Sequence, residues 1–213
     1  PKRGVSFWPR EGVLMRVAIV EWSWPSVVPE GTLRLANALA DHVDVHVFMP
    51  SDGEGAAGVE GNWTRHALVP ISVSGPSWRR VLTQANPLVH AANAKRIRRV
   101  APDIVHFAAL HPANALLVPL LSAPTCLTVS DIERHSAKGG RFREELRRRT
   151  VETADHLVVE SRAVRDALLR EGLPPEGVTL IPPTHEAFGL RHLNLYQRLT
   201  EQMPWAGWVL QGR

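Results

Sequence analysis

From Met15 onward the chain alternates between two patterns: short runs of consecutive apolar residues, and longer stretches in which apolar positions recur every three or four residues. The runs are RVAIVE (16–21), a Val-rich stretch (43–48), IVHF (104–107), TCLTV (125–129), LVVE (157–160) and VTLI (178–181). Uninterrupted runs of this kind predict strands covered on both faces, as in a parallel sheet. A further, more peripheral strand is predicted over 63–69. Helical spacing falls between the runs. Leu33, Leu35, Ala36, Leu39 and Ala40 mark one helix after Gly31, and 87–100 marks another, ending in the cations Lys95, Arg96, Arg98 and Arg99, which suit a helix C-terminus. A short helix is predicted over 116–121. A charged one follows over 141–153, with Phe142, Leu146 and Thr150 on one face.

Residues 154–183 hold a complete strand–helix–strand crossover of about 30 residues. Ser161 stands where an N-cap belongs, Ala163, Val164, Ala167 and Leu168 have helical spacing, and Gly172 closes the helix ahead of Pro174-Pro175. A crossover joins parallel strands. The alternation as a whole predicts an α/β fold: a Rossmann-like, doubly wound parallel sheet of roughly six or seven strands. Ligands of such sheets bind at the carboxyl ends of the strands, which selects 22–31, 107–112, 130–139 and 160–161. Beyond Pro183, Leu195 and Leu199 with Phe188 predict a helix over 187–202.

Composition narrows the class. At 213 residues and 44% hydrophobic, the chain suits one soluble domain and is short for two of ordinary α/β size. Residues 1–14 read as an extension, 15–183 as the domain and 184–213 as a divergent tail, part helical. Cys126 is the single cysteine. It excludes an internal disulfide, fits a reducing, cytoplasmic setting, and reads as an inert strand thiol. No run reaches the roughly 18 apolar residues of a membrane span. The net charge of +4 favours anionic ligands in general. Nucleic acid is not an expected partner, because Glu144–Arg148 and Glu145–Arg149 spacing makes 141–149 a solvated face. The ten histidines are scattered and no Walker loop is present, so neither a metal nor a cofactor is expected.

Several motifs together resemble glycosyltransferase family 4. They are the Ala154-Asp155 strand entry, the helix Ser161-x-Ala163-Val164-Arg165-x-x-Leu168, the turn Gly172-x-Pro174-Pro175-Glu176-x-Val178, and the strand Val178-Thr179-Leu180-Ile181-Pro182. Pro102-Asp103-Ile104-Val105-His106 and Leu127-Thr128-Val129-x-Asp131 extend the resemblance over about residues 15–183. It implies the N-terminal, acceptor-side domain of a GT-B enzyme. The implied activity is retaining and metal-independent, moving a sugar from a nucleotide-sugar donor to a sugar or lipid-linked acceptor. After Pro183 the resemblance stops, and the half that would hold the donor is absent from this sequence.

The same resemblance nominates site residues. Glu30 and Gly31 stand where a glycine-rich loop meets acceptor or phosphate; the plainer reading is an ordinary helix start. Trp22 and Trp24 flank that loop, as stacking surfaces or as packing against the sheet edge. Ser130 stands where the family commonly has a histidine, and Asp131 matches the adjacent aspartate, with a turn role as the alternative. Arg134 and His135 follow a few residues later, where they would compensate for the missing histidine. His106 matches the strand-end histidine that shapes the cleft, and His111 closes the same loop; the plainer reading of such a histidine is a hydrogen-bonded packing residue. His111 and Arg134 join the candidates for acceptor or phosphate binding. Two function classes stay open. One is a half-enzyme working with a separate donor-binding domain or subunit, with weak peripheral membrane contact if the acceptor is lipid-linked. The other is a non-catalytic α/β binding module derived from such an enzyme.

Overall fold

A computed structural model describes residues 14–22, 28–50, 62–71, 86–130, 140–183 and 187–202. Seven strands form one sheet: β1 (Arg16–Val20), β2 (Asp44–Pro50), β3 (Thr64–Leu68), β4 (Ile104–Phe107), β5 (Thr125–Val129), β6 (His156–Val159) and β7 (Val178–Leu180). Their order is β3-β2-β1-β4-β5-β6-β7, with every pairing parallel. The winding reverses between β1 and β4. That is the topological switch point, where the crevice of a doubly wound sheet opens. Helices α1 (Glu30–Ala40), α2 (Pro87–Arg99), α3 (Asn114–Leu117), α4 (Gly140–Thr153), α5 (Arg162–Arg170) and α6 (Phe188–Gln202) surround it.

Local chemistry sets the boundaries. Asn86 caps α2 by accepting from the Leu88 amide at 3.0 Å, and Pro87 begins the helix where a missing N–H is harmless. Ser161 caps α5 through the Val164 amide, and Gly172 takes φ 94° just beyond it, the left-handed conformation that glycine adopts without steric cost. Strand ends differ by a residue or two from the sequence expectation. Glu21, Glu160 and Ile181 fall just outside their strands, and the predicted short helix becomes one α-turn followed by a 3₁₀ turn, Val118–Leu120.

Each strand splits its side chains between two cores. Ala18, Val20, Val105, Phe107, Leu127, Val129, Leu157 and Val159 pack on the face carrying α2, α3, α4 and α5. Val17, Ile19, Val45, Val47, Ile104, Cys126 and Val158 pack on the opposite face. There α1 supplies Leu35, Ala36 and Leu39, and the tail helix α6 supplies Phe188, Leu195, Tyr196 and Leu199. So the segment after β7 closes the second core. The two helices cross very closely, since a Cβ placed on Gly189 would run into the Ala38 carbonyl oxygen.

On α4, Arg149 pairs with Glu145 at 2.8 Å, as the spacing predicts; Arg148 pairs with Glu145 at 2.9 Å and with Glu152 at 2.6 Å. These exposed arginines are satisfied by neighbouring carboxylates, as on a solvated face. Cys126 is fully buried, and burial pushes its thiol well above the usual range. A thiol reagent such as DTNB should therefore label the chain only in denaturant; stoichiometric reaction within minutes in native buffer would contradict this.

Candidate functional site

The strand exits are organised around the first turn of α1. β1 ends at Val20, and the Glu21 amide still donates to the Phe48 carbonyl at 2.9 Å. The Glu21 side chain turns inward and is 3% exposed, accepting the Thr32 hydroxyl at 2.6 Å. A buried carboxylate needs donors of this kind, so the pair ties the β1 exit to α1. Gly31 itself is exposed, with nothing within 4 Å of where a Cβ would sit. Glu30 is exposed and pairs with Arg34 at 2.6 Å; Arg34 also donates to the Pro183 carbonyl at 3.2 Å, linking α1 to the end of the β7 segment.

Across the sheet, the register Val129↔Val159 sets Ser130 beside Glu160 as both strands end. Ser130 is exposed. Burial pushes the Glu160 carboxyl above the usual range, with the positive charge of Arg34 opposing the rise. Between α1 and α6 lies a recess lined by Gly31, Leu35, Thr128, Glu160, Phe188 and His192, among others. Its volume is about 40 Å³, room for a water or a small polar group and far below the roughly 300 Å³ at which pockets begin to enclose drug-sized ligands.

Beneath the recess runs a buried polar chain. His106 is fully buried and faces α6; its Nε2 lies 2.7 Å from Thr128 Oγ1, and its Nδ1 lies 2.5 Å from the Tyr196 hydroxyl. His192 is 1% exposed, with its Nδ1 2.9 Å from the Phe188 carbonyl. Burial, followed by the nearby His192, holds His106 well below the usual histidine range. Burial pushes His192 down to about 4, against the hydrogen bond to Phe188. Tyr196 is pushed up by burial and then by Cys126. Both imidazoles are therefore neutral near pH 7 and act as hydrogen-bonding groups.

The sequence profile of Glycosyltransferase Family 4 matches residues 30–184, from the start of α1 through the end of the β7 segment. The chain belongs to that family. Solved structures with the same fold include the UDP-GlcNAc 2-epimerase of Methanocaldococcus jannaschii, with TM-score 0.57 at 15% identity over 78% of this chain and 45% of that one. Sucrose-phosphate synthase of Thermosynechococcus elongatus gives 0.56 at 15%, over 88% and 99%. The UDP-GlcNAc 2-epimerase of Neisseria meningitidis bound to UDP-GlcNAc gives 0.55 at 13%, over 88% and 52%. At these identities the likeness speaks for the fold alone. The chain spans about half the length of the two epimerases. No curated protein sequence matches it.

As a family 4 domain, the chain disposes its nominated residues unevenly. Gly31 and Glu30 stand at the open edge, and Ser130 stands beyond β5 at the same end of the sheet. His106 does not stand at that edge: it lies on the face under α6 and reaches the recess only through Thr128. Trp22 is 8% exposed, and its indole N–H donates to Asn114 Oδ1 at 2.5 Å with the His111 ring 5.8 Å away. Asn114 in turn donates to the Ala109 carbonyl at 2.9 Å. Trp22 and His111 thus knit the β1 exit to the loop after β4. Trp24, Asp131, Arg134 and His135 lie outside the described residues, as do residues 1–13 of the extension.

Glu21, Thr128, His192 and Tyr196 were not singled out from sequence. His192 and Tyr196 have a readable signal, since with Phe188 and Leu199 they fall on one face of α6 at spacings of three and four. Thr128 has none, because a hydroxyl within an apolar strand run is common and its partner is 22 residues away in sequence.

Proposed function

We propose that this domain is the acceptor-side half of a retaining, metal-independent glycosyltransferase that uses a nucleotide-sugar donor and works with a separate donor-binding domain or subunit. The observation that carries it is the meeting of Gly31, Thr128 and Glu160 in one recess at the switch-point edge of the family 4 domain. A sugar or lipid-linked acceptor would approach along this edge. The Neisseria relative, bound to UDP-GlcNAc, is about twice as long as the part matched here, which supports a donor site completed by a second wall. Stabilising a departing nucleoside diphosphate needs preorganised donors or cations. Among the described residues, Arg34 stands near this edge, engaged by Glu30 and Pro183. The retaining, metal-independent course is part of the proposal on the strength of family membership, and the cytoplasm is the proposed setting. Among the described residues no helix is long and apolar enough to cross a membrane.

A second reading, a non-catalytic binding module, has one observation in its favour: His106 and Trp22 direct their hydrogen bonds to interior partners. Calorimetry with uridine, guanosine and adenosine diphosphate sugars should show no micromolar binding to the chain alone, and assays with lipid and saccharide acceptors should show no turnover. Adding a family donor-binding domain should start transfer that survives EDTA and keeps the donor's anomeric configuration. Micromolar donor binding or repeated turnover by the chain alone would overturn the half-enzyme proposal. Failure of every donor-binding domain to start transfer would favour the binding module.

A further inference from the structure

The hydrogen bonds beneath α6 have directions that proton counting resolves. The Tyr196 hydroxyl is fully buried, with His106 Nδ1 as its hydrogen-bond partner. Were its proton aimed elsewhere, a buried donor would go unpaired at a cost of roughly 1–3 kcal/mol. Tyr196 therefore donates to Nδ1, and the single proton of the neutral His106 ring sits on Nε2. That N–H donates to Thr128 Oγ1 at 2.7 Å. The Thr128 hydroxyl proton is then left over, and Thr128 lines the recess. On the opposite wall, the Phe188 carbonyl can only accept, so the His192 proton sits on Nδ1. Its Nε2 lone pair has no hydrogen-bond partner among the described residues, although His192 is 1% exposed and lines the same recess.

One wall thus offers a donor and the other an acceptor. A hydroxyl group, which accepts and donates at once, satisfies both; an ionised phosphate oxygen, which only accepts, leaves Nε2 unpaired. With both imidazoles neutral, neither supplies a positive charge to attract an anion. We propose that the recess is a subsite for one neutral hydroxyl group of a polyol ligand, bridged between Thr128 Oγ1 and His192 Nε2, and that filling it holds α6 on the sheet. Thr128 belongs to β5 and His192 to α6, so the bridge exists only while the helix is docked. The ligand's class, a carbohydrate, rests on the reading of this edge given above; the subsite and its coupling to α6 rest on the protons.

Imidazole ¹⁵N spectra and amide hydrogen exchange of the full chain test this, with glucose and glycerol as polyols and inorganic phosphate as the anion. His106 should carry its proton on Nε2 and His192 on Nδ1 in the free protein. Either polyol should shift the His192 Nε2 resonance, leave the His106 tautomer unchanged, and slow exchange across 188–202 about tenfold at tenfold over its dissociation constant. Phosphate should do neither. Thr128→Val should abolish the polyol shift. If that variant fails to fold, His192→Phe, which keeps an apolar ring in place, should lose the polyol-dependent slowing. No shift with either polyol at about 100 mM, a larger response to phosphate, or a His106 proton on Nδ1 would overturn the proposal. Polyol shifts without sugar transfer by any assembled enzyme would leave the subsite standing and remove the glycosyltransferase reading. Transfer without the shifts would remove the subsite alone.

Discussion

Acidification from pH 6.5 towards 4 should destabilise this domain steeply, with the tail helix opening first. Three histidines on the α6 face are held neutral by their surroundings. His192 and His156 are each pushed down to about 4, chiefly by burial, with the charge of Arg198 also acting on His156; His106 lies well below the usual range. In the unfolded chain each titrates near 6.5. Between the two values the unfolded state binds protons that the folded state refuses, so stability falls as pH falls and levels off once the folded groups also protonate. For His192 alone the window from 6.5 to about 4 is worth on the order of 3 kcal/mol. That is a large share of the roughly 5–15 kcal/mol that holds a domain folded. Urea titrations from pH 7.5 to 4.5 measure it, and His192→Phe should reduce the slope by about one proton. A stability that stays level between pH 6.5 and 4.5, or a slope unchanged in the variant, would refute the account.

Replacing the buried Gly189 with valine should be among the most damaging single changes in α6. The added Cβ meets the backbone carbonyl of Ala38, which no rotamer can move aside. The helices must separate, lifting Phe188, Leu195 and Tyr196 from the second core. Overpacking costs about 1–3 kcal/mol, and a backbone obstacle belongs at the upper end, so the melting temperature should drop by roughly 6–12 °C. Gly31→Ala is the control. Open space surrounds that position inside α1, so alanine should be neutral or stabilising by up to about 1 kcal/mol. Equal melting temperatures for Gly189→Val and wild type would mean that the α1–α6 contact does not hold as described.

The parallel α/β architecture was legible from residue order. Apolar runs such as IVHF and TCLTV, separated by helical spacing, admit few other arrangements, because a strand buried on both faces and a crossover helix each impose their own period. Capping at Ser161 and the stop at Gly172 were equally local, since a cap depends on residues within a few positions of it. The family followed from the same stretch, because its motifs are contiguous. The tail helix was legible as a helix, from Phe188, Leu195 and Leu199.

The site was less legible. Sequence selected the strand exits, which in a doubly wound sheet share one side, and it left His106 open between shaping the cleft and a hydrogen-bonded packing role. The structure buries it under α6 with two hydrogen-bond partners. Which face a strand-end histidine takes depends on the register of its neighbours and on what covers that face. Here α6 brings Tyr196 to His106 from 90 residues away. Glu21 read as the end of a strand until the start of α1 brought Thr32 to it. Burial, tautomer and the charge of each imidazole follow from contacts between distant segments. The chain order carries no record of them, and only the packed α1–sheet–α6 layer decided them.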